Sequence, residues 1–228
     1  MSQSLKIAIV GDYNFTYNSH HATNLAIDHS AQFLDIEVNY YWIKLNEVVK
    51  FRPQQFQQYD GIWIAPGPIL NEFFLHGIIK EIVGKTIPVL VTGEGYRTLL
   101  EVLINTYQLN KRNEKLISDN LVGGETYEKL SITPHSPEFI KLYQNYSKTE
   151  LTATRYSMYP QLIKQLESSI ADIEAYNQFE DPEVISLKNH VFFVGCGFCP
   201  QISSTREIPH PIIYTFFKAC LVALEKSA

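Results

Sequence analysis

The sequence predicts an α/β protein built on a doubly wound, mostly parallel sheet with helices on both faces. Short apolar runs of strand length (residues 5–10, 61–65 and 88–92) alternate with stretches of helical periodicity. Strands joined by helical crossovers run parallel and are covered on both sides. No repeat, low-complexity tract or linker rich in Gly, Ser or Pro divides the chain of 228 residues. One domain over 1–228 is therefore the expectation.

Each element has a local reason. Residues 5–10 read as a buried strand stopped by Gly11-Asp12, and Ser19 suits the cap of a helix reaching about Phe33. Ala22, Leu25, Ala26, His29 and Phe33 fall near one face of that helix. Residues 36–43 alternate apolar and polar side chains, as in a less buried strand. Residues 61–65 form a third strand, ended by Pro66-Gly67-Pro68. A helix over 71–83, a fourth strand over 88–92 and a helix over 96–104 complete the regular half. Beyond it, 108–130 with Gly123-Gly124 reads as loops and short strands, and 133–146 as a helix. A strand over 169–176 precedes two strands, 184–187 and 191–194, paired as a hairpin about Lys188-Asn189. Residues 209–224 form a last helix.

Composition narrows the function. A formal charge of −5 leaves no basic footprint, so no nucleic-acid partner is expected. No stretch reaches the roughly 20 apolar residues that span a bilayer, and the opening Met-Ser-Gln-Ser lacks the layout of a signal peptide. The expectation is a cytoplasmic protein without a membrane partner. Three cysteines do not make a disulfide framework. Cys196 and Cys199 match C-x-x-C, but in extended chain residues three apart lie ~10 Å from each other. That exceeds the ~7 Å a disulfide spans between Cα atoms. Zinc would need two further ligands that the sequence does not supply. Neither a metal nor a cofactor is implied.

The most informative stretch is residues 88–97, where an apolar run meets Gly93-Glu94-Gly95 and a helical segment follows at once. A buried strand turning sharply into a helix is the geometry of a nucleophile elbow, which lifts one side chain into a pocket beside backbone N–H donors. The residue at the tip is Gly93, which has no side chain to lift.

Three segments resemble the class I glutamine amidotransferase family, which is flavodoxin-like, and specifically stand-alone relatives of the CTP synthase glutaminase domain. Ile7-Ala8-Ile9-Val10-Gly11-Asp12-Tyr13-Asn14 with Ser19-His20-His21-Ala22 is similar to that group's first strand and helix. Tyr59-Asp60-Gly61-Ile62-Trp63-Ile64-Ala65-Pro66-Gly67-Pro68 is similar to its third strand and oxyanion loop. Residues 190–201 and Pro209-His210-Pro211 resemble the strand and loop that hold the catalytic base. The resemblance implies a Cys-His-Glu triad for glutamine hydrolysis, and it carries the Cys onto Gly93, the His onto Cys199 and the Glu onto Gln201. It also implies an oxyanion hole at the 66–68 loop. A donor at residue 68 is removed by Pro68, whereas one at Gly67 survives.

The ligand candidates follow from these placements. Gly67 and Glu94 flank the pocket, Tyr96 and Arg97 open the helix, and His20 and His21 start the first helix, at the edge where ligands collect in a doubly wound sheet. Glu94 reads either as a charge favoured at a helix start or as a pocket carboxylate that repels an oxyanion. Arg97 is spaced to pair with it at i+3. Asp12, Tyr13 and Asn14 share the same edge, His210 fixes the start of the last helix, and the tyrosines between 127 and 159 can line a pocket wall or pack in the core. Three readings remain open. The first is a binding or regulatory protein without glutaminase activity, taking a small polar ligand. The second is an enzyme of altered chemistry using Glu94 with His20, His21 or Cys199. The third is a glutaminase with another nucleophile, which would need a partner enzyme to accept ammonia. The oligomeric state is not legible.

Overall fold

The computed structural model describes residues 4–111, 114–122 and 126–227. Its first half lays down β1 (Ser4–Val10), α1 (Asn18–Leu34), β2 (Glu37–Ile43), the one-turn helices α2 (Leu45–Val48) and α3 (Pro53–Phe56), and β3 (Gly61–Ile64). Then come α4 (Glu72–Val83), β4 (Val89–Thr92) and α5 (Glu94–Thr106). The second half adds β5 (Glu128–Ser131), β6 (Thr133–Pro134), α6 (Pro137–Leu142), β7 (Thr149–Thr152) and α7 (Pro160–Ser169). It ends with β8 (Ala171–Tyr176), β9 (Pro182–Leu187), β10 (Phe193–Cys196), α8 (Pro200–Ser203) and α9 (Pro211–Ser227).

Eight strands form one sheet in the order β2-β1-β3-β4-β10-β9-β8-β6. Pairing is parallel from β2 through β10 and antiparallel from β10 to β6. A separate two-stranded sheet joins β5 and β7. The period-2 alternation of the strands explains the two-sided cover. Ile7, Ile9, Trp63 and Leu90 pack with Ala26 and Ile27 of α1 and with Ile212, Ile213, Phe216 and Phe217 of α9. Their neighbours Ala8, Val10, Ile62, Ile64, Val89 and Val91 pack on the opposite side with Leu75, Ile79 and Ile82 of α4 and Leu99, Val102 and Leu103 of α5. Each fully buried Leu, Ile or Val contributes about 1.5–3 kcal/mol relative to exposure.

The order of strands and long helices in the first half therefore matches its sequence pattern, with α4 capped by the Asn71 side chain, which accepts from Phe74 N at 3.0 Å. The buried face of α1 does not match: Leu25 and Phe33 are exposed, and Ser19, Thr23, Ile27 and Ser30 join Ala26 in facing the core instead, because the close approach of α1 to its neighbours favours small side chains there. Several boundaries differ. Residues 133–146 are not one helix: Thr133 and Pro134 pair with β8 at the sheet edge. Ser136 then accepts from Phe139 N and starts α6 with Pro137 in its first turn, a position where proline's missing N–H costs nothing. The helix α1 begins one residue before Ser19, and its N-cap Tyr17 makes no side-chain capping bond. The hairpin forms as β9 and β10, with Asn189 at φ 62° in its turn. However, β10 starts at Phe193 rather than at residue 191. The last helix begins at Pro211 rather than 209. The strand β7 and the helices α2, α3, α7 and α8 have no counterpart in the sequence reading, and Gly123-Gly124 lies outside the described residues. Among the described residues, no helix is long and apolar enough to cross a membrane.

One buried carboxyl in this frame has a titration consequence. Glu183 of β9 is 3% exposed, and Asn177 Nδ2 donates to its Oε1 at 2.8 Å. Burial pushes its pKa from 4.5 to about 8, against the opposing pull of the Asn177 bond. The folded chain thus keeps a proton that the unfolded chain releases above about pH 4.5. That stabilisation is full below the unfolded value and is lost as pH rises through about 8. Urea unfolding at about pH 5 and about pH 8 is expected to show wild type losing stability relative to Glu183→Gln between the two.

Candidate functional site

The strands β1, β3, β4 and β10 run parallel, so their carboxyl ends share one edge of the sheet. The chain leaves β1 for β2 on one side and later returns to β3 on the other, which opens a crevice at this edge. A cavity of about 450 Å³ lies there. Its described lining comes from the start of α1 (Tyr17, Asn18, Ser19), the loop after β3 (Pro66, Gly67, Pro68), Glu94, the stretch before β5 (Thr126, Tyr127), Ala153 and Cys199.

The turn from β4 into α5 has the geometry of an elbow. Gly93 takes φ 59° and ψ −128°, a conformation that favours glycine. Its N–H is directed to the end of β10, at 3.0 Å from Cys196 O and 3.2 Å from Phe198 O. On the other side the loop after β3 closes over it. A Cβ at residue 93 would meet the backbone of Pro66, first its carbonyl oxygen. The same oxygen accepts the Glu94 N–H at 3.1 Å. The amide that follows the elbow tip is thereby committed within the protein, and Pro68, joined to Gly67 by a cis peptide bond, has no N–H. Thr92, the last residue of β4, is tied to the end of β3: its hydroxyl donates to Ile64 O and accepts from Trp63 Nε1, both at 3.1 Å.

Two histidines hold the rim rather than line the cavity. Asn14 N–H donates to His20 Nδ1 at 3.0 Å, so the ring proton sits on Nε2 and is donated to Gly67 O at 3.0 Å. Burial lowers the His20 pKa, with the Gly67 and Asn14 bonds acting in the opposite sense, and Tyr13, Tyr17 and Trp42 surround the ring. Ser19 Oγ is 3.4 Å from the same Gly67 oxygen. His21 is exposed and bonds Phe15 O at 2.7 Å. Of the Asp12-Tyr13-Asn14 run, Tyr13 and Asn14 therefore support His20, and none of the three is on the cavity lining.

Glu94 does reach the cavity. Its Oε2 accepts Ile69 N–H at 2.7 Å, and its carboxyl lies where a side chain on residue 67 would be. Burial raises its pKa, the Ile69 bond opposes the shift, and the nearby charge of Glu72 adds to it. The expected partner is elsewhere: Arg97 pairs with Glu101 at 3.0 Å and lies over the Tyr156 ring. Arg97 lines a neighbouring cavity of about 210 Å³, which Glu94 also borders. Tyr96 is 2% exposed and donates its hydroxyl to Pro182 O at 3.0 Å. It is a core residue, not a ligand contact.

Cys199 lines the cavity floor just before α8, its N–H bonded to Leu151 O at 2.8 Å. Burial pushes its thiol up to about 12, with the Gln201 amide beside it acting in the opposite sense. Gln201 is itself buried, and neither its Nε2 nor its Oε1 has a hydrogen-bond partner. All three cysteines are free and buried. The strand stops at Cys196, and Cys199 stands at the N-cap of a four-residue helix, so the C-x-x-C motif is not extended throughout. Behind this floor, Glu150 binds His210 Nε2 at 3.0 Å, Tyr143 OH at 3.1 Å and Ser203 Oγ at 2.6 Å. His210 also accepts Ile212 N–H, fixing the start of α9. Among the described residues, no group of three or more His, Cys, Asp or Glu is arranged to hold a metal ion.

A doubly wound sheet with an elbow after its central strand and a cleft at its carboxyl edge is the fold of class I glutamine amidotransferase-like proteins, to which the chain is similar. Within that class the chain is a relative of the CTP synthase glutaminase domain. It is 23% identical to the CTP synthase of Sulfurisphaera tokodaii over 95% of its length. To that of Cytophaga hutchinsonii it is 24% identical over 94%. The matches cover 45% and 44% of those proteins, so the chain spans less than half the length of these curated relatives. The solved glutaminase domain of Trypanosoma brucei CTPS with bound acivicin superposes with a TM-score of 0.77 at 16% identity, over 95% of this chain and 94% of that one. No family model matches the chain.

The packing of Pro66 against Gly93 sets a stability test. Gly93→Ala adds a Cβ at positive φ against backbone oxygen and is expected to cost about 1–3 kcal/mol or more in urea unfolding. Gly77 lies in α4, where an added Cβ would meet nothing within 4 Å outside the helix's own backbone, and Gly77→Ala is expected to stabilise by about 0.5–1 kcal/mol in the same measurement.

Proposed function

We propose that this chain is a glutamine amidotransferase-like protein that does not hydrolyse glutamine and uses the cleft to bind a small polar molecule. The observation that carries this reading is the Pro66 carbonyl seated against Gly93 and on the Glu94 N–H. Acyl transfer by this route needs a thiolate, a base to activate it and amides free to hold an oxyanion. By the family resemblance the nucleophile's position falls on Gly93, and the base and acid positions fall on Cys199 and Gln201. The elbow amide is already bonded, and the Glu94 carboxylate beside it would repel an oxyanion.

Alternative chemistry in the same cleft lacks its parts. Cys199, at about 12, stays a neutral thiol near pH 7. His20 has both ring nitrogens engaged, and His21 is off the cavity. Glu94 therefore has no histidine or thiolate to work with. An ammonia-accepting partner enzyme forms no part of this reading, because no ammonia is made.

The test is ammonia release from glutamine by the purified chain, followed by a coupled dehydrogenase. No release above the uncatalysed background is expected for wild type or for Gly93→Cys, whose sulfur would have Pro66 against it and no base. Release by wild type that disappears in Cys199→Ala would refute the reading.

A further inference from the structure

Glu94 is a half-buried carboxylate bordering two cavities, and no described residue forms an ion pair with it. Carboxylates withdrawn from water are ordinarily paired or multiply hydrogen-bonded. Here Oε2 accepts one backbone N–H, from Ile69, and Oε1 accepts none from the described residues. The one nearby arginine is held by Glu101 and stacked on Tyr156. The described lining of the larger cavity contains no Lys, Arg or His, and it includes Tyr17, Tyr127, Ser19 and Thr126.

We infer that the cleft takes an organic cation, a protonated primary amine or a guanidinium, whose charged head pairs with Glu94. This rests on the reading of the cleft as a binding site that does not hydrolyse glutamine. The carboxylate supplies the counter-charge and charge-assisted hydrogen bonds. The tyrosine rings offer the aromatic faces that cations favour. Hydroxyls of the lining residues can accept the remaining N–H groups. A zwitterionic amino acid fits less well, because its carboxylate finds no cation on the described lining and meets the field of Glu94 and Glu72. The cavity, about 450 Å³, matches a small ligand.

Titration calorimetry with n-butylamine and agmatine, against butyrate and glutamine, tests the inference. The amines are expected to bind at least about tenfold more tightly than butyrate or glutamine, and Glu94→Gln to weaken them by about tenfold or more. The glutamine variant keeps an acceptor for Ile69, and its thermal midpoint reports whether it folds. Should it not fold, the pH profile of wild type decides. The groups facing Glu94 are Glu72 from α4, Tyr156 and Cys199. Amine affinity must fall as pH drops through the raised Glu94 pKa, while the amine stays charged. Equal or tighter binding of butyrate or glutamine overturns the inference, as does amine binding indifferent to both Glu94→Gln and pH, or no amine binding. Those results leave the non-glutaminase reading intact, whereas ammonia release from glutamine sinks the reading beneath it.

Discussion

The contact between the Pro66 carbonyl and the start of α5 is the constraint around which the cleft is arranged. A helix start carries unsatisfied N–H groups and a partial positive charge. Here a backbone oxygen from the neighbouring β3 loop satisfies the first of them, at Glu94. Two further features follow from it. Only a glycine leaves room at residue 93 for that oxygen, and Gly67, one residue on from Pro66, is drawn against the Glu94 carboxyl. His20 and Ser19, both directed at Gly67 O, hold the same loop from the α1 side. The elbow, the loop and the first helix are thus one hydrogen-bonded unit.

The electrostatics of the cleft grow from this closure. With Glu94 N–H engaged by Pro66, the side chain turns its Oε2 to Ile69 N–H and holds its carboxyl beside the cavity. Its acidity is weakened by burial, and Glu72 adds a second negative field. On the floor, burial keeps Cys199 protonated and leaves the Gln201 amide without a partner. A cleft so lined favours positive charge, the reverse of what an oxyanion needs.

Much of the fold was legible because it is written in local periodicity. The alternation of buried strands and amphipathic helices through residue 106 and the turn at Gly93 each depend on neighbours a few residues apart. The second half was harder for a physical reason. The short strands β5, β6 and β7 are mostly polar and lack the continuous apolar run that marks β3 and β4, which are no more than four residues long themselves. Pro134 falls near the start of the helix that the sequence suggests over 133–146, yet it sits at a sheet edge where its missing N–H is tolerated.

The sequence by itself determined the strand and helix order of the first half, the elbow at residues 88–97 and the candidacy of Gly67 and Glu94 at its rim. Tertiary structure alone decided who meets whom there. It sent Arg97 to Glu101 and Tyr156 instead of Glu94, buried Tyr96 against Pro182 and turned His20 into a clamp on Gly67. It also brought Tyr127 and Ala153 to the cleft from far along the chain. Helical spacing allows a pair at i+3 or i+4 without choosing between them. The choice belongs to side chains that arrive from distant segments, and no local pattern encodes their arrival.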